Sequence, residues 1–69
     1  MSNRTYKLVE IVGTSPESTD QAIRNAIEKA SKSLHNLDWF QVIETRGQIV
    51  GGKVAHYQVV LKVGFRLDD

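Results

Sequence analysis

The sequence predicts an α+β fold, a β-α-β-β unit in which one helix lies on a three-stranded antiparallel sheet. Three observations predict it. Residues 53–67 alternate, with Ala55, Tyr57, Val59, Leu61, Val63, Phe65 and Leu67 at the odd positions. Ala22, Ile23, Ala26, Ile27, Ala30 and Leu34 recur at helical spacing. Gly51-Gly52 separates two strand-like runs as a two-residue hairpin turn, which needs positive φ.

The first strand is expected over residues 5–12, where Thr, Tyr, Val and Ile dominate. Gly13-Thr14-Ser15-Pro16 ends it. Two helix starts are open: Ser15 as N-cap with Pro16 in the first turn, or Ser18 with Gln21 as a capping box. The helix is expected to run to about His35. Asp20–Arg24 and Glu28–Lys32 are i,i+4 pairs with the acid first, the supportive order. His35-Asn36 closes the helix, and asparagine tolerates the left-handed conformation of a C-terminal cap. Strands over 38–50 and 53–67 complete the order. All 69 residues form one domain, 1–69.

Alternation in the third strand means that one sheet face packs on a core. The odd face is the partner of the helix, which is long enough to cover that face and no more. With Phe40 and Val42 under the helix, Trp39 points to the uncovered face, beside Gln58 and Val60. A large ring there needs a cover. The size of the chain points the same way. A domain of about 60 residues buries only ~60% of its unfolded surface. The sequence has no cysteine, so disulfides and thiolate metal sites are excluded. His35 and His56 lack a zinc-like spacing. Oligomerisation is the stabilising device left.

Composition excludes several function classes. A net charge of +1 gives no electrostatic case for nucleic acid. No apolar run approaches the roughly 18 residues of a membrane span. Met1-Ser2-Asn3-Arg4 leads straight into a strand pattern without a signal-peptide core, so a cytoplasmic location is expected. No nucleophile motif and no phosphate-cradling glycine loop is present, so an enzyme is not expected.

The residues that remain suit ligand binding. Trp39 reads either as an interface tryptophan or as a stacking platform, where a planar ring gains ~1–3 kcal/mol. Gln58 reads either as a solvated strand residue or as a clamp. Its amide sets a donor beside an acceptor, which matches the imide edge of a pyrimidine-like ring. Arg46 and Arg66 read as surface charges or as forked phosphate ligands. Strict alternation puts Arg46 on the face opposite Trp39. Arg46 then reaches the same ligand from a neighbouring protomer, or after a bulge or bend near Gly47. His35 reads as a cap and His56 as a surface histidine.

Glu10-Ile11-Val12-Gly13-Thr14-Ser15, Leu37-Asp38-Trp39-Phe40, Thr45-Arg46-Gly47, His56-Tyr57-Gln58-Val59 and Lys62-Val63-Gly64-Phe65-Arg66-Leu67 together resemble a bacterial dodecin. The resemblance runs across essentially the whole chain. It implies a hollow homododecamer with cubic-group symmetry, built of protomers whose sheet wraps partly around the helix. It implies flavins held in antiparallel pairs between tryptophans of neighbouring protomers. Trp39 matches that tryptophan, and Gln58 matches the glutamine at the isoalloxazine edge. Arg46 matches an arginine near the phosphate of flavin mononucleotide (FMN). Gln48 stands where the family often has histidine, at the phosphate or ring. Riboflavin and FAD are further candidates, and some bacterial members also bind coenzyme A. The implied role is flavin storage and photoprotection, with light energy quenched through the tryptophan stack. Its rivals are a coenzyme A-binding or other nucleotide-binding shell, a purely structural oligomer, and a flavin-dependent redox enzyme.

Overall fold

The computed structural model describes residues 3–68. Met1, Ser2 and Asp69, which include part of the stretch read for a signal peptide, lie outside them. The elements are β1 (Tyr6–Ser15), α1 (Thr19–Ala30), β2 (Leu37–Val50) and β3 (Lys53–Arg66). All pairings are antiparallel and the sheet order is β1-β3-β2. The expected β-α-β-β unit is present.

β1 continues through Gly13 and Thr14 to Ser15, three residues beyond its expected end. Glycine is needed at position 13. A Cβ there would lie 2.1 Å from the Ala22 carbonyl oxygen and 2.8 Å from Ala26 Cβ. The helix therefore touches the β1 backbone itself. Ser18 is the N-cap, and the Gln21 N–H donates to its Oγ at 3.0 Å. The box is not closed: among the described residues Gln21 Oε1 accepts nothing from the Ser18 N–H, and Gln21 Nε2 donates to Asn25 Oδ1. Ser15 Oγ accepts from Glu17 N–H in a local turn.

The helix ends at Ala30, earlier than expected. Beyond it the Lys32 and Ser33 N–H groups reach carbonyls three residues back, at Lys29 and Ala30. Tightening of this kind is common in a last turn. Ser31 Oγ also donates to the Glu28 carbonyl. Asn36 does adopt positive φ, 63°, but at the entry to β2 rather than as a helix cap. Its Nδ2 donates to the Arg66 carbonyl and to Asp68 Oδ1, tying that entry to the end of β3. Gly51 and Gly52 have φ of 59° and 75°, as the hairpin turn requires.

Val59, Leu61 and Val63 are fully buried with Ala22 and Ala26, and Ile11, Ile23, Ile27 and Leu37 pack around them. The odd face of β3 is thus the helix face. The helix contacts β1 and β3 but leaves β2 largely outside. Phe40 and Val42 lie on the helix side, opposite Val63 and Leu61. They nevertheless remain 47% and 43% exposed, which corrects the expectation that the helix covers them. A 12-residue helix spans about 18 Å. A 14-residue strand spans about 46 Å, so the β2–β3 hairpin projects past the helix. The protomer measures 56 × 20 × 13 Å.

Candidate functional site

The strand register lays out the face that carries no helix, row by row. Thr14, Gln58 and Arg46 face one another across the three strands. Val12, Val60 and Glu44 form the next row, and Leu8, Gly64 and Trp39 lie further along. Directly opposed residues share a face. Trp39 and Gln58 are therefore on one face, as expected.

They are not beside each other. Trp39 pairs with Gly64 and Arg46 pairs with Gln58. Six residues of β3, about 20 Å, separate the two rows. The expectation that Trp39 lies next to Gln58 and Val60 is corrected by this register. One flat ring cannot touch both residues of a single chain.

Gly64 seats the tryptophan. A Cβ on it would lie 2.5 Å from Trp39 Cε2 and Cζ2, so the indole rests on bare backbone. Tyr6 meets the ring edge-on, with centroids 4.8 Å apart and planes at 65°. Trp39 stays 43% exposed. Sequence reasoning did not single out either neighbour. An isolated glycine inside a strand is the signal that points to Gly64.

Arg46 lies on the same face as Trp39. The register slips between Val42 and Glu44, leaving Ile43 as an extra residue. A bulge of this kind resets alternation. It lies three residues before Arg46, not near Gly47, and it overturns the opposite-face expectation. Arg46 Nε–H donates to Gln58 Oε1 at 2.9 Å, and Nη1 donates to Glu44 Oε2 at 2.8 Å. This is the one ion pair among the described residues, so Asp20–Arg24 and Glu28–Lys32 are not closed. Gln48 lies one row further out, opposite His56. Arg66 pairs with Tyr6 at the other end of the face.

Two concavities lie away from these residues or border them. One, of about 440 Å³, lies between the β1 edge and the helix, lined by Gly13, Thr14, Asn25 and Lys29. The other, of about 320 Å³, lies between the projecting hairpin and the start of the helix, lined by Thr19, Thr45, Arg46, Gln48, Ile49 and Tyr57. Among the described residues no three His, Cys, Asp or Glu side chains gather. None of the described helices is long and apolar enough to cross a membrane.

The family model for Dodecin matches residues 5–68. The chain is 53% identical to the dodecin of Thermus thermophilus over 66 residues, 96% of each chain. It superposes on a dodecin structure from Streptomyces davaonensis with a TM-score of 0.94 at 65% identity, covering 99% and 100% of the two chains. The calcium dodecin of Mycobacterium tuberculosis is 32% identical over 62 residues, 90% of this chain and 87% of that one.

Proposed function

The chain belongs to the dodecin family, and on that premise we propose that it is a flavin-binding storage protein that holds its ligand between protomers of a homododecamer. The observation that carries this reading is the seat of Trp39. Glycine beneath it, Tyr6 at its edge and 43% exposure leave a fixed indole offered outward. That is what a stacking platform requires.

Gln58 supplies the amide that reads the imide edge of the ring. Because about 20 Å of β3 separates it from Trp39, the two residues meet one ring only when they come from different chains. Ligand binding at this face therefore needs a neighbouring chain already in place, whereas assembly does not need the ligand. Gln48, beyond the Arg46–Gln58 row, offers an amide to the polar tail of the ligand. FMN is the preferred form in this reading, with riboflavin and FAD as variants. Stacked on a bound flavin, Trp39 would be placed to donate an electron to the light-excited ring and recover it, and that chemistry would be the cofactor's. The role is binding and photoprotection, not catalysis. The name of the Mycobacterium tuberculosis relative raises calcium. Flavin is the ligand for which this chain presents a built feature, the seated indole.

Titration with FMN tests the reading. Binding is expected to quench both flavin and Trp39 fluorescence. Trp39→Ala is expected to weaken affinity by the loss of ~1–3 kcal/mol of stacking while the oligomer persists in light scattering. Full-strength flavin quenching by that variant would overturn the stacking model.

A further inference from the structure

We propose that Arg46 is a positioning residue that fixes the orientation of the Gln58 amide, and so decides which end of it donates to a bound ring. The proposal rests on the flavin reading above. It departs from the phosphate-binding role that the family resemblance implies for this arginine.

Arginine carries only donors. Its Nε–H points at Gln58 from 2.9 Å, so the atom facing it is the amide oxygen and the amide nitrogen turns away. The flipped amide would set N–H against N–H. Arg46 is itself anchored, since Nη1 donates to Glu44 Oε2 at 2.8 Å. The Ile43 bulge puts all three side chains on one face, and the register sets Arg46 opposite Gln58. Gln58 Oε1 keeps a second lone pair and Nε2 keeps two hydrogens. The amide thus meets a ligand with its polarity already set, acceptor next to Arg46 and donor beyond. An imide edge, with an N–H between two carbonyls, matches that polarity. The benefit falls on the ring and is independent of any phosphate.

Lumiflavin, which has the same ring with a methyl group in place of the phosphorylated chain, separates the two roles. Arg46→Ala is expected to weaken lumiflavin and FMN by the same factor, about threefold to tenfold, the cost of ordering one flexible side chain. It should shift the absorption band of bound lumiflavin toward its position in water. In a Gln58→Ala background it should add nothing. A loss confined to FMN, no loss at all, or additive losses would each overturn the role. If Arg46→Ala does not assemble, Arg46→Lys carries the same comparison, because an ammonium keeps the charge but lacks the planar fork that holds Gln58 and Glu44 from two separate nitrogens. Glu44→Gln is expected to weaken both ligands alike, and a selective gain for FMN would make Arg46 a phosphate ligand. Wild-type protein that quenches neither ligand overturns the flavin reading and this role with it. Flavin binding that Gln58→Ala leaves intact overturns this role alone.

Discussion

Two glycines on opposite faces of one sheet admit a close neighbour. Gly13 lets the helix backbone at Ala22 reach β1, and the contact is sealed. Gly64 lets the Trp39 indole lie on β3, and the contact stays half open to solvent. The first completes the fold of the chain. The second prepares a surface that the chain does not use for its own packing. Burial follows this division only where the helix lies: Val59, Leu61 and Val63 are dry and Leu8, Val12 and Trp39 about half exposed, while Phe40 and Val42 stay open beside the helix and Val60 is buried on the outer face. One side of the sheet stabilises the protomer, and the other is available for binding.

Substitutions at these positions test that division. The largest effect is expected from Gly13→Val, whose Cβ would fall inside contact distance of the Ala22 carbonyl. A loss of about 3 kcal/mol or more in thermal unfolding is expected, as for severe overpacking. Gly64→Ala is expected to displace the indole and weaken FMN at least tenfold in fluorescence titration, with a much smaller change in melting temperature. A melting loss equal to that of Gly13→Val would break the comparison, because Gly64 would then belong to the core. The smallest effect is expected from Tyr6→Ala. Loss of one edge-to-face aromatic contact is worth about 0.5–1.5 kcal/mol. It should appear in FMN affinity and Trp39 emission, with assembly unchanged in light scattering.

Much of the helix side was legible in the sequence. Alternation in β3 and the Ala22–Ala26 stripe name the core directly, and Gly51-Gly52 names the turn. The helix end was not legible, because the apolar spacing continues to Leu34 while the backbone tightens after Ala30. The narrow reach of the helix was hidden too. It is set by how closely Gly13, Ala22 and Ala26 approach, and that distance leaves Phe40 and Val42 uncovered. On the other face, residue types pointed to Trp39, Gln58 and Arg46, but their placement depends on register. Ile43 is an ordinary apolar strand residue, so nothing in its chemistry marks it as a bulge. The residues from Trp39 to Arg46 read equally well with or without the slip. The separation of Trp39 from Gln58 likewise required knowing which β3 residue each β2 residue opposes.

The strand order has a consequence for how the protein comes into being. β1 and β2 share no ladder, because both pair only with β3, the third strand in chain order. A chain emerging from its N-terminal end makes β1, the helix and β2 before the strand that joins them. Val59, Leu61 and Val63, the floor beneath the helix, arrive last as well. Before β3 no two strands can pair, and the contact between β1 and the helix is the one piece of packing that can form. Folding therefore waits for β3, and the outer face with its seated indole forms in the same step as the interior.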